Sequence, residues 1–139
     1  MSDNKKYYWL KLKEDFFDKK DIRYLRSLPD GDKLIIIYLK LLLSSIRSEG
    51  IVYYDGLLDT NVEELALSLD EDKQTIQYTL LALKKIGTIE EREDGSILVK
   101  SLKDQNMIGK EGKSAERVRR FRDKKKLEAL QSNELVTLR

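Results

Sequence analysis

The sequence has no cysteine and no histidine among its 139 residues, and it has a single proline. Without cysteine the chain can form neither a disulfide framework nor a thiolate metal site. Without histidine it lacks the commonest general base and the commonest metal ligand. It also has no glycine-rich phosphate loop and no dinucleotide-binding fingerprint. We therefore expect no enzyme activity, no metal and no cofactor, and we interpret the chain as a binding module.

Long apolar runs are also missing. The longest, 34–43, is interrupted by Lys40, and it is much shorter than the roughly 20 residues that a membrane-spanning helix needs. The first residues contain no apolar signal segment. We therefore expect a cytoplasmic protein with no membrane partner.

Charged residues are abundant, at 37% of the chain, but the two signs are unevenly distributed. Residues 1–102 contain 16 basic and 19 acidic side chains, whereas residues 103–126 contain 10 basic and 4 acidic ones. Residues 127–139 add 1 basic and 2 acidic side chains. The small net charge of +2 therefore conceals one strongly basic segment, and such a segment is a candidate for binding an acidic partner.

The stretch from 61 to 102 has the pattern of a winged helix-turn-helix, a unit that commonly binds DNA. Residues 61–70 and 73–86 each show helical periodicity, and a short acidic turn separates them. Residues 88–102 are typical of two short strands joined at Asp94 and Gly95.

The preceding residues supply the rest of the expected fold. Residues 33–47 predict a helix buried on most sides, and residues 51–54 predict a strand that pairs with the hairpin. We therefore predict a mainly α fold with a small β-sheet. The predicted organisation is a winged-helix domain over 1–102, a linker over 103–113, and a basic C-terminal segment over 114–139 that is helical or disordered.

The second helix of this unit has two distinct faces. Ile76, Leu80 and Leu83 form the expected buried stripe. The opposite face carries side chains that can donate hydrogen bonds to phosphates or to base edges, and glutamine can pair with adenine through two bonds. These candidate DNA contacts are Lys73, Gln74, Gln77, Tyr78 and Lys84. The same pattern is also typical of a solvated polar face, and the residues alone leave the two interpretations equal.

Acidic residues argue against strong DNA contact in this part of the chain. Asp70, Glu71 and Asp72 precede the second helix, at the terminus where a phosphate would otherwise bind. The hairpin is also acidic, with carboxylates at 90, 91, 93 and 94 that should repel a phosphate backbone. Most of the electrostatic affinity should therefore come from elsewhere.

The basic C-terminal segment is the candidate for that affinity. As a helix, it would align Val118 and Phe121 beside a dense set of cations. Arginine and lysine bind phosphates by releasing counterions, independently of sequence. The alternative is a solvated helix or a basic tail with no special role. The candidate phosphate contacts are Arg117, Arg119, Arg120, Arg122, Lys124, Lys125 and Lys126.

Residues 7–17, residues 21–26 and the leucine-rich helix that ends at 49–53 together resemble the N-terminal domain of phage replisome organiser proteins. The basic stretch 114–126 is similar to the one that follows that domain in the family. The resemblance covers roughly residues 7–126. It implies a DnaD-like winged helix that binds double-stranded DNA at a replication origin. It also implies self-association into a homo-oligomer and recruitment of a helicase or a helicase loader.

Two other functions are compatible with the same residues. The acidic turn and hairpin favour an oligomerising scaffold whose winged helix binds protein. A transcriptional repressor with this fold would differ only in its target site.

Overall fold

The computed structural model describes the backbone of residues 6–137 and the side chains of residues 6–131. The chain divides into two compact units. The larger contains residues 8–109, and the smaller joins the described residues before Tyr8 to those from Lys110 onward. No helix within the described residues is long and apolar enough to span a bilayer.

The larger unit is mainly helical, which confirms the predicted fold class. Two short 3-10 turns, Phe16–Asp18 and Ile46–Ser48, flank the first two helices. The α-helices of this unit are α1 (Lys20–Ser27), α2 (Gly31–Ser44), α3 (Asn61–Leu69), α4 (Lys73–Lys85) and α5 (Ser101–Asp104).

Three strands form a small antiparallel sheet in the same unit. They are β2 (Ile51–Val52), β3 (Ile89–Glu91) and β4 (Ile97–Val99), and β4 lies in the middle. Ile51 is paired with Leu98 across β2 and β4. This confirms that the strand before α3 pairs with the hairpin. A separate two-stranded sheet joins β1 (Tyr8–Leu10) to β5 (Ile108–Lys110).

The core of the larger unit brings α2, α4 and the hairpin together. Ile37, Leu41, Ile76, Leu83 and Val99 are each completely buried. Each such side chain contributes about 1.5–3 kcal/mol by leaving water. The isoleucines at 35–37 favour a strand by themselves, but they lie in helix α2. The leucine-rich residues that follow make the apolar segment longer than a typical strand, and this length favours a helix.

Side-chain caps fix the start of α3 and of α4. The hydroxyl of Thr60 accepts a hydrogen bond from the backbone N–H of Glu63 at 3.2 Å. The carboxylate of Asp72 accepts one from the N–H of Thr75 at 3.1 Å. Asp70 ends α3 in the left-handed conformation, with φ at 54°. Asp70 to Asp72 therefore form the tight turn that orients α4 against α3.

The residues that we interpreted as a linker, 103–113, carry regular structure instead. They include the end of α5 and the whole of β5. Met107 is 3% exposed, and its carbonyl accepts a hydrogen bond from the N–H of Lys11 at 2.8 Å. The apolar pair Met107 and Ile108 is too short to show a period, so its burial was not predictable from the pattern.

The bounds of one helix also differ from expectation. The helix predicted over 33–47 begins at Gly31 and ends at Ser44. In the smaller unit, a single long helix, α6, spans Lys113–Thr137. Residues 138–139 of the predicted C-terminal segment lie outside the described residues.

Candidate nucleic-acid interface

Helix α4 buries one face and exposes the other, as its periodicity predicted. Its buried face is closed by Ile76, Leu80 and Leu83, none more than 8% exposed. On the outer face, Tyr78 is 40% exposed and Leu81 is 67% exposed. Gln74 and Gln77 are also exposed. The helical repeat places Leu81 near the centre of this outer face, so an apolar side chain lies among the predicted polar contacts.

The two predicted lysines of α4 are in ion pairs. The Nζ atom of Lys73 lies 3.1 Å from a carboxylate oxygen of Glu63. That of Lys84 lies 3.0 Å from Glu91 in β3. Such exposed pairs contribute little to stability, so a phosphate can replace the carboxylate at small cost. Lys85 is also exposed but was not among the predicted contacts. Its position next to Lys84 in the sequence could have identified it as a further candidate.

The acidic turn before α4 is largely neutralised at its central residue. Glu71 has a side chain only 8% exposed, and its carboxylate lies 2.6 Å from the Nζ of Lys40 and 3.6 Å from that of Lys33. The hydrogen bond from Lys40 and the charges of both lysines hold the pKa of Glu71 below its usual value. Lys40 also donates to the carbonyl of Leu69 at 2.8 Å. Glu71 therefore fixes the turn to α2 and adds little negative potential outside.

The negative charge that remains lies beside the first turns of α4. A shallow depression of about 270 Å³ is lined there by Pro29, Asp30, Asp72, Gln74, Thr75 and Tyr78. Its two carboxylates oppose a phosphate at this end of the helix. Gln77, Leu81 and Lys84 lie further along α4 and do not line this depression. They are therefore the side chains of α4 best placed for a nucleic-acid contact.

The hairpin remains acidic, although two of its carboxylates are paired. Glu91 bonds to Lys84, and Glu90 lies 3.8 Å from the Nζ of Lys100. At the turn, Asp94 accepts hydrogen bonds from the hydroxyl and the N–H of Ser96, which lower its pKa. Asp94 therefore has a structural role in closing the hairpin.

Arg119, a predicted phosphate contact, is bonded to other side chains of the smaller unit. Its guanidinium binds both oxygens of Glu111, at 2.5 and 3.2 Å, and lies 4.0 Å from the ring centre of Tyr7. The backbone N–H of Tyr7 also donates to Glu111 at 3.3 Å. The hydrogen bond between the two charged groups lowers the pKa of Glu111 and raises that of Arg119.

The remaining carboxylates near the start of α6 are also paired. Glu116 bonds to Arg120, one turn later, and Asp123 lies 3.4 Å from Arg119. Two of the predicted cations of α6, Arg119 and Arg120, therefore have carboxylate partners. Within the part of the chain that the structure describes, the other predicted cations of α6 have none. These are Arg117, Arg122, Lys124, Lys125 and Lys126.

The predicted contacts thus form two separate sets. Those of α4 share one face in the larger unit, and those of α6 lie along one helix in the smaller unit. Each set therefore lies entirely within one unit.

Comparison with known proteins gives one match. The family described as the N-terminal phage replisome organiser matches residues 9–129, which is most of the chain and includes both sets. No curated protein and no solved structure matches.

Proposed function

The chain belongs to the N-terminal phage replisome organiser family, and we propose that it is a non-enzymatic DNA-binding protein that initiates replication. Family membership gives it a role in phage replication. The proposal adds that it binds double-stranded DNA at an origin through a winged helix, acts in the cytoplasm, and recruits a helicase or helicase loader.

The pairing of charges over residues 110–126 is the observation that carries this proposal. Residues 110–126 contain nine cations and three carboxylates, and Arg119 and Arg120 bind all three carboxylates. Seven cations are left without a carboxylate partner among the described residues. Each can replace counterions on a phosphate backbone, and together they supply affinity that does not depend on sequence.

Sequence discrimination is assigned in this proposal to the outer face of α4. Gln77 can pair with adenine through two hydrogen bonds, and Leu81 can contact the methyl group of thymine. The two side chains lie one turn apart on an exposed helix face. This combination favours A·T base pairs under the middle of the helix, with Lys84 released from Glu91 to bind the adjacent phosphate.

Self-association is supported by a separate apolar groove in the larger unit. The groove has a volume of about 340 Å³ and lies between the end of α2, β2 and α3. Its rim includes Tyr53, Leu57 and Leu67, which are 63%, 75% and 66% exposed. Large apolar side chains clustered at one exposed site are typical of protein interfaces. The same observation supports an oligomerising scaffold as the second candidate function.

A footprint on DNA from the genome that encodes the protein tests the proposal. We expect protection of several similar sites within one origin, weakening as salt is added because the affinity is largely electrostatic. Protection of one operator beside a promoter would instead support a transcriptional repressor. Self-association without any protection would support the scaffold.

A further inference from the structure

We propose that Phe121 and the cations around it form a site for single-stranded DNA, in which the phenyl ring stacks on an unpaired base. The inference rests on the proposed function in one respect, since it takes DNA to be the ligand of α6. It adds a second form of DNA, the unpaired strand, and a residue that binds it.

Phe121 is the most exposed of the three phenylalanines, and its ring packs against no other aromatic ring among the described residues. Phe16 is 3% exposed, and Phe17, at 54%, packs its ring against Phe16 with the centres 5.0 Å apart. Phe121 is 63% exposed, and its one aromatic or cationic contact among the described residues is the Nζ of Lys125, 5.4 Å from the ring centre. A surface that offers an aromatic ring to solvent is available for stacking.

The neighbours of this ring have the composition of a nucleic-acid site. On a helix, the side chains three and four positions away are the ones that adjoin a given residue. For Phe121 these are Arg117, Val118, Lys124 and Lys125. Three are cations, and the fourth is an apolar side chain that is 49% exposed. A base on the ring would therefore have cations for its phosphates on both sides along the helix.

Carboxylates near the ring do not oppose such a ligand. Glu116 is bound by Arg120, and Asp123 by Arg119. Glu128 is exposed on the same side of the helix, but it lies seven residues further on, which is about 10 Å along the axis. The local charge around the ring is therefore positive.

An exposed ring among cations fits a single strand better than it fits a duplex, a second copy of α6 or a membrane surface. In a duplex the base faces are covered by their neighbours, whereas an unpaired base presents a face on which an aromatic side chain stacks. A second copy of α6 would bring like charges together around the ring. A membrane surface would require a broader apolar face than Val118 and Phe121 provide.

Equilibrium binding to a labelled oligothymidine and to a duplex of equal length tests the site in the full chain. We expect Phe121→Ala to weaken single-strand binding about tenfold, because stacking contributes about 1–3 kcal/mol per base. Duplex binding should change less than twofold, since every cation is retained. Phe121→Trp should restore single-strand binding. Phe17→Ala is the matched control and should leave both affinities unchanged.

The tryptophan variant provides a second readout. Stacking on a base should quench the fluorescence of Phe121→Trp when oligothymidine is added, against the constant background of Trp9, the one native tryptophan. Alanine favours a helix more than phenylalanine does, so Phe121→Ala should not unfold α6, and circular dichroism checks this.

The outcomes separate this inference from the proposed function. Equal loss of single-strand and duplex binding in Phe121→Ala, or no loss in either, would overturn the stacking site. Quenching of the tryptophan variant by oligothymidine, in a protein that binds no duplex at any salt concentration, would support the site and overturn the origin-binding proposal.

Discussion

Glu71 shows how a side chain in an apparently repulsive cluster can instead hold the fold together. In the sequence it is the middle member of three consecutive acids that precede α4. In the structure it is buried and bonded to Lys40 and Lys33 of α2. The pairing across 31 residues depends on the packing of α2 against the turn, and no local pattern predicts it.

Replacing Glu71 with glutamine should destabilise the protein by about 1 kcal/mol, because it removes a charged hydrogen bond whose partner is partly exposed. That corresponds to a fall of roughly 3 °C in melting temperature for a domain of this size. Glu93→Gln is the matched control, since Glu93 is exposed on the hairpin and has no ion pair among the described residues. Thermal unfolding followed by circular dichroism measures both. An equal effect of the two variants would contradict the role of Glu71.

The same residue should make stability depend on pH. The pKa of Glu71 is lower in the folded chain than the value of about 4.3 in an unfolded one. Its stabilisation is therefore complete above that value and disappears as the pH falls through the folded pKa. Between pH 7 and pH 3 the melting temperature of Glu71→Gln should fall less than that of the unaltered protein. A parallel fall in both would assign the acid sensitivity to Asp94 and Glu111, whose pKa values are also lowered.

Arg119 has partners in the structure that the sequence did not reveal. It lies within a run of arginines, and composition cannot distinguish it from Arg117 or Arg122. Only the fold brings Glu111 and the ring of Tyr7 to its guanidinium. The prediction that Arg119 binds phosphate therefore competes with a contact that organises the start of α6.

Among the elements, helices α3 and α4 were the most predictable. The buried stripe and the capping residues give α3 and α4 clear periodicity and clear starts. Strand β5 and helix α5 have three and four residues, which is too few for a period to be visible. The groove beside β2 was also missed, because it combines side chains from three elements that are separate in the sequence.

Asp72 allows a direct test of the docking of α4. Its carboxylate caps the helix, and it also adds negative charge beside Gln74. Asp72→Ser keeps a capping hydroxyl and removes the charge. If α4 docks in DNA, duplex affinity should rise about two- to fivefold at low salt, with stability nearly unchanged, because repulsion of a nearby phosphate is relieved.

The matched variant Asp72→Ala removes both the charge and the cap. It should lower stability by about 1 kcal/mol while raising duplex affinity to a similar extent. Binding and unfolding measurements on the two variants separate capping from repulsion. Unchanged affinity in both would place α4 outside the DNA interface and strengthen the scaffold alternative.

At the level of the whole molecule, the proposed self-association can be tested at the apolar groove. Leu67→Asp places a charge among the exposed apolar residues of the rim, and burying an unpaired charge is costly. We expect this variant to sediment as a smaller species than the unaltered protein at equal concentration. Leu12→Asp is the control, because Leu12 is exposed at 46% away from the groove. Equal sedimentation of the two variants would place self-association elsewhere.

Acidic and basic side chains are concentrated in different parts of the chain. Helix α3, the turn before α4 and the hairpin are rich in acids, whereas residues 110–126 are rich in cations, and their three carboxylates are already paired with Arg119 and Arg120. We therefore assign sequence discrimination to α4 and most of the electrostatic affinity to α6. The charge asymmetry was evident in the sequence; which cations remain without a carboxylate partner required the structure.

The salt dependence of duplex binding tests this division most directly. Each phosphate contact contributes about 0.9 to the slope of log affinity against log salt concentration. Changing Arg117, Arg122 and Lys126 together to alanine should lower that slope by about 2 to 3 and weaken binding to every sequence equally. The control changes three exposed lysines of the larger unit, Lys11, Lys13 and Lys20, and should leave the slope unchanged. An unchanged slope in the α6 variant, or an equal reduction in both, would contradict the account.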